Sequence, residues 1–211
     1  NVQKWVLGSS NASSTATYAD NELTVTEVVD ENNVHASVYK DKFNRLILKR
    51  QDAPSSGYYD TYYVYDNIGN IVYIVPPKAI AKMGGTYNTS STPELIYQFW
   101  YDYKNRIVQK KVPGAKEVYM VYDPLDRVVL TQDGAMRFNN GTKWAYIKYD
   151  NANRVIIQGI YDHGSVVSQD YMQNTVVKDQ SCYQTSSATY YEIRQSGSSG
   201  YSNQCFPDRK S

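Results

Sequence analysis

Short runs of alternating apolar and polar positions dominate this chain, and the 3.6-residue spacing of an amphipathic helix is hard to find in it. Residues 95–101, 118–122 and 144–149 gather aromatic and β-branched side chains, which predicts β-strands. Residues 22–29 alternate cleanly and predict the first strand. Only 78–83 suits one or two helical turns.

The segments that close these strands are more informative than the strands themselves. Five of them share a frame that opens on Asp: Asp41-Lys42-Phe43-Asn44, Asp66-Asn67-Ile68-Gly69, Asp102-Tyr103-Lys104-Asn105, Asp123-Pro124-Leu125-Asp126 and Asp150-Asn151-Ala152-Asn153. Asp suits the first position of a type I turn because its carboxylate accepts bonds from backbone N–H groups just ahead, and Pro124 stands where φ near −65° is wanted. The fourth position must turn left-handed, which only Gly, Asn and Asp do at little cost. Asn44, Gly69, Asn105, Asp126 and Asn153 occupy it. A type I turn closed by a left-handed residue is the hairpin loop with a G1 bulge, so each frame predicts a β-hairpin.

The flanks repeat too. Tyr65, Tyr101, Tyr122 and Tyr149 precede the Asp, while Lys40 stands before Asp41 with Tyr39 displaced by one. Arg45, Arg106, Arg127 and Arg154 come after the left-handed residue, Asn70 being the exception, and then each chain segment turns aliphatic. The Asp-to-Asp intervals fall in the ~20–50-residue range of repeat architectures. Because a lone hairpin is marginal in water, successive hairpins are expected to pair edge to edge. The predicted fold is all-β, consecutive antiparallel hairpins in an extended, twisted sheet. The pattern divides the chain into three regions: a flexible linker over 1–20, rich in Ser, Asn, Thr and Ala; the hairpin region over 21–160; and a loop-rich segment over 161–211 that either ends or continues the sheet. Insertions fall at 77–94 and 133–142.

Composition narrows the function. The 211 residues include 22 Lys+Arg against 21 Asp+Glu, with a net charge of +1, so no basic face is offered to nucleic acid. No apolar run is long enough to insert in a membrane. Tyrosine is the unusual residue, with 22 copies. Cys182 and Cys205, with His35 and His163 in unrelated contexts, do not make a four-ligand metal set. If the chain is exported, the two cysteines close a disulfide loop; otherwise they remain two thiols. No cofactor is expected.

The repeated Tyr-Asp-x-x-Gly/Asn-Arg-aliphatic signature resembles the tyrosine-aspartate repeats of the rearrangement-hotspot family, large secreted or surface-exposed bacterial proteins. The resemblance covers nearly the whole chain, through "YKDKFNRLILKR", "YYVYDNIGNIVYIVPPKA", "VPGAKEVYMVYDPLDRVVLTQDG", "KWAYIKYDNANRVIIQGIYD" and "GYSNQCFP". It implies a β-ribbon coiling into a hollow shell around a toxic C-terminal effector domain, of which this chain would be an arc. The implied partners are the rest of that parent protein, its effector domain and secretion machinery. The family's self-cleaving aspartyl-protease segment shares two letters with Asp123-Pro124, but its Gly-Leu continuation is missing, so no cleavage activity is assigned.

Rival readings start from the same residues. Two of the repeated carboxylates could flank a glycosidic bond, yet each already has a local task as a turn former, so an enzyme is not expected. Tyr58, Tyr59, Tyr62, Tyr63, Trp100 and Trp144 could stack on surface glycans as an adhesion module would; the alternative is cross-strand pairing within the sheet. The repeated Arg residues are expected to form surface ion pairs with the turn Asp of a neighbouring hairpin.

Overall fold

The computed structural model describes residues 1–54, 57–178, 183–184, 187–188, 191–196, 200–203 and 205–207. The first 20 residues, expected as a linker, form a hairpin of β1 (Gln3–Leu7) and β2 (Ala12–Thr17). Then come β3 (Thr24–Val29), β4 (His35–Lys40), β5 (Leu46–Asp52), β6 (Tyr58–Tyr65), β7 (Ile71–Val75), α1 (Pro77–Met83), β8 (Tyr97–Tyr101) and β9 (Ile107–Lys111). They continue with β10 (Val118–Tyr122), β11 (Val128–Gln132), α2 (Gly134–Phe138), β12 (Lys143–Tyr149), β13 (Val155–Asp162), α3 (Gln169–Lys178), β14 (Tyr183–Gln184) and β15 (Ser187–Ala188). Strands β3 to β13 make one eleven-stranded antiparallel sheet in which each strand pairs with its neighbours in sequence, and the order does not close on itself. The fold is all-β, as the alternation and turn pattern predict.

The chain divides into two compact units, Asn1–Asn105 with Lys110–Ala115, and Arg106–Gln109 with Lys116–Ser211. In the first, Leu48, Tyr62, Val64, Tyr73 and Val75 from β5, β6 and β7 form a core closed by Ala79 and Met83 of α1. Pro77 starts that helix where a missing N–H costs nothing, and Gly84 at φ 58° ends it. The N-terminal hairpin seals this core with Val2 and Ala12. Its polar sequence hides the fit: the Ala12 N–H donates to Thr89 Oγ1 at 2.9 Å and the Ser14 N–H to the Tyr87 carbonyl at 2.9 Å, so the insertion at 77–94 supplies its partners.

In the second unit Val121, Val129, Leu130 and Trp144 meet Met172 and Val176 of α3. That helix corrects the expectation of loop over 161–211. Met172 and Val176 stand four apart on one face, and Gln173 brackets Tyr122, its Oε1 accepting from the backbone N–H at 2.9 Å and its Nε2 donating to the carbonyl at 2.7 Å. Tyr161 and Asp162 lie at the end of β13, not in a loop.

Candidate functional site

The repeated motif is the constellation that recurs along the described residues, and its geometry starts in the backbone. Asn44, Asn105, Asp126 and Asn153 have φ between 59° and 61°, and Gly69 has φ 97°. Each of these N–H groups donates back to the carbonyl of the Asp three residues earlier, at 2.9 to 3.2 Å. One oxygen of each Asp then holds the loop open: Asp41 Oδ1 accepts from the Phe43 and Arg45 N–H groups, and Asp66, Asp123 and Asp150 repeat the pattern. Asp102 Oδ1 accepts from the Lys104 N–H at 2.9 Å. Ladder register shifts by one at Tyr39/Lys40, Val64/Tyr65, Val121/Tyr122 and Lys148/Tyr149, the extra residue of a bulge.

The second carboxylate oxygen takes the Arg. Asp41, Asp123 and Asp150 Oδ2 each accept from Nε of Arg45, Arg127 and Arg154 at 2.7 Å. Asn70 imitates this, its Nδ2 donating to Asp66 Oδ2 at 3.0 Å. These three pairs lie within one turn, which corrects for Arg45, Arg127 and Arg154 the expectation of a pair with the turn Asp of a neighbouring hairpin, whereas Arg106 does meet Asp126 of the following turn at 2.6 Å. At Asp41 burial pushes the carboxyl up, but the Arg45 N–H, the Arg45 guanidinium and the Phe43 N–H outweigh it and hold it below the usual carboxylate range. At Asp150 the Arg154 N–H and guanidinium act in the same downward direction.

Tyr reaches back to the preceding hairpin, and the far side of Arg reaches forward to the following one. In the first unit Tyr65 Oη donates to the Leu46 carbonyl at 2.9 Å and Tyr101 Oη to the Ile71 carbonyl at 2.8 Å. In the second, Tyr122 Oη donates to the Ile107 carbonyl at 2.7 Å and Tyr149 Oη to the Val128 carbonyl at 2.8 Å. The acceptor is every time the residue after the Arg position of the preceding hairpin. Three of these rings also lie under that hairpin's guanidinium: Arg45 is 5.0 Å from the Tyr65 ring centre, Arg106 4.5 Å from Tyr122 and Arg127 4.6 Å from Tyr149, within cation–π range. Burial raises the Tyr65, Tyr101 and Tyr149 phenols above their usual range.

A last contact completes the clasp. Side chains at the left-handed position accept from the preceding hairpin: Asn105 from Asn70 Nδ2 at 3.3 Å, Asp126 from Arg106 Nη1 at 2.6 Å, and Asn153 from Arg127 Nη1 at 2.8 Å. Gly69 has no side chain to offer. A further Asp turn joins β3 to β4 without a shift in the ladder: Asn33 has φ 58°, and Asp30 Oδ1 accepts from the Asn32 and Val34 N–H groups. Its letters Asp-x-x-Asn are plain in the sequence, but with Val29 before and Val34 after, it lacks the Tyr and Arg that mark the others.

Other singled-out residues scatter. Trp144 is fully buried, with an indole N–H that meets no acceptor among the described residues, and Tyr62 is 2% exposed. Trp100 and Tyr63 are half-buried, whereas Tyr58 and Tyr59 are exposed. His35 on β4 pairs with Glu27 at 3.0 Å, and His163 lies 3.0 Å from Ser165 Oγ. Cys205 is disulfide-bonded, while Cys182 lies outside the described residues. Among the described residues no three His, Cys, Asp or Glu side chains group to hold a metal, and no helix is long and apolar enough to cross a membrane. No protein-family model matches this chain, and no curated protein matches it.

Proposed function

We propose that the chain is a structural segment of a rearrangement-hotspot-type repeat protein, secreted or displayed on the bacterial surface. Its hairpins would build part of a shell wall that encloses or presents a C-terminal effector domain, without catalysis or a cofactor of its own. The observation that supports this is the clasp. Tyr65, Tyr101, Tyr122 and Tyr149 each give their hydroxyl to the backbone of the preceding hairpin, so a polar contact that recurs four times among the described residues serves to join one hairpin to the next. Such joining is additive, as repeat architectures require. In the intact parent polypeptide, the effector domain should be digested by added protease far more slowly than the same domain expressed alone. Equal digestion rates would refute the enclosing role.

The adhesion reading rests on Tyr58 and Tyr59 of β6, 61% and 49% exposed, rather than on the buried Trp144. Glycan-array binding by this chain that disappears in a folded Tyr58→Ala variant would favour it over the shell wall.

A further inference from the structure

We propose that Lys148 and Asn203 are joined by an intramolecular isopeptide bond that the protein forms itself, with Glu192 carrying the protons. This inference is independent of the shell-wall reading. Lys148 sits near the end of β12 with its side chain 1% exposed, and the Glu192 side chain, 3.3 Å from its Nζ, is 0% exposed. Nζ donates to Asn203 Oδ1, and to the carbonyls of Cys205 and Pro207 at 2.5 Å each. The Tyr146 ring centre lies 5.8 Å from Nζ. Glu192 is pinned in turn: its N–H donates to the Tyr149 carbonyl at 2.9 Å, its Oε1 accepts from the Cys205 N–H at 2.9 Å, and its Oε2 accepts from Ser202 Oγ at 2.6 Å.

A lysine is almost never fully buried unless paired, and a carboxylate alone would complete an ion pair. Here the amine also meets a carboxamide, a group that an amine can convert to a new amide by releasing ammonia. Asn203 Cγ lies one C=O bond beyond the oxygen that Nζ touches, which brings nitrogen and carbon near the ~3–3.5 Å separation of a near-attack arrangement. Two backbone carbonyls fix the position of Nζ. Burial of the Lys148 and Glu192 side chains keeps water away from the amine.

The step balances without another reactant. Glu192 takes a proton from the Lys148 ammonium, and the freed lone pair on Nζ attacks Asn203 Cγ, forming the C–N bond as the carbonyl π electrons move onto Oδ1. The carbonyl then re-forms and the Cγ–Nδ2 bond breaks, Nδ2 leaving as ammonia with the proton held by Glu192. Nζ gives its second proton to Glu192, which passes it to the ammonia as ammonium. Nothing is oxidised or reduced. The product ties β12 to the segment that carries Cys205, by a bond that reducing agents leave intact.

The 211-residue chain should show, by mass spectrometry after denaturation and reduction, the mass of its sequence less one ammonia. Proteolytic fragments should include one branched species that joins the Lys148 and Asn203 peptides. Lys148→Met and Glu192→Gln should each restore the full mass. The measurement on the unsubstituted chain stands whether or not the variants fold. A full-length mass equal to that of the reduced sequence would overturn the proposal, as would an ammonia loss that maps to a succinimide at another Asn. Unchanged ammonia loss in a folded Glu192→Gln protein would overturn the role given to Glu192.

Discussion

At the scale of single residues, the left-handed position has two tasks. It must accept positive φ, and in three hairpins its side chain also accepts a bond from the hairpin before. The first task explains why Gly, Asn and Asp stand there; the second explains why Asn and Asp outnumber Gly. The two separate experimentally at Asn153, where φ is 59° and Oδ1 accepts from Arg127. Asn153→Gly keeps the backbone and loses an exposed bond, so it should cost at most about 1 kcal/mol. Asn153→Val imposes a β-branched residue on positive φ and should cost about 1–3 kcal/mol. Urea denaturation measures both; equal losses would show that the backbone conformation is not what the position selects. The turn itself is readable from letters because donor, acceptor and left-handed residue lie within five positions. The reach of Asn153 to Arg127 is not, since it depends on which hairpin lies alongside.

At the scale of elements, tyrosine replaces the apolar stripe as the mark of contact. Its ring covers the neighbouring guanidinium and its hydroxyl finds a backbone carbonyl, so an amphipathic residue is used where only Val or Ile would be read as core. Tyr149→Phe keeps the ring and removes the bond to Val128, and should lower stability by about 1 kcal/mol. Tyr103→Phe, in which the parent residue is 90% exposed, should leave it unchanged. An equal response from both variants would deny the hydroxyl its role. The elements that escaped sequence reading share a physical cause. α3 buries only Met172 and Val176 and uses Gln169 and Gln173 to bond the backbone of β10, so its helical period is mostly polar. The β1–β2 hairpin is held by Ala12 and by bonds to Tyr87, Asn88 and Thr89, which leaves no hydrophobic alternation to see.

At the scale of the whole molecule, the titrating groups set a pH window. The Asp41 and Asp150 carboxyls titrate below their usual range in the folded chain. Their contribution is therefore complete above the ordinary carboxylate value of about 3.9 and is lost as pH falls through the lower folded values. Tyr62 is pushed up to about 12, by burial first, and Tyr65, Tyr101 and Tyr149 move the same way. Their contribution is complete below about pH 10 and is lost as pH rises through the raised folded values. The urea midpoint should stay level between about pH 5 and 9 and fall on both sides. Asp150→Asn should flatten the acid limb, and an acid limb unchanged by that substitution would remove the turn carboxylates as its cause.

Sequence alone determined the hairpins, because an Asp, its backbone donors and a left-handed Gly, Asn or Asp are local chemistry that no distant contact needs to complete. Tertiary structure decided the rest. It placed Trp144 in a core rather than on a surface, and it set Ala12 against Thr89 across 77 residues and Tyr122 against Gln173 across 51. It also brought Lys148 to Asn203 across 55 residues. These pairings depend on which strands and insertions become neighbours, and adjacency in space is information that short-range propensity does not contain.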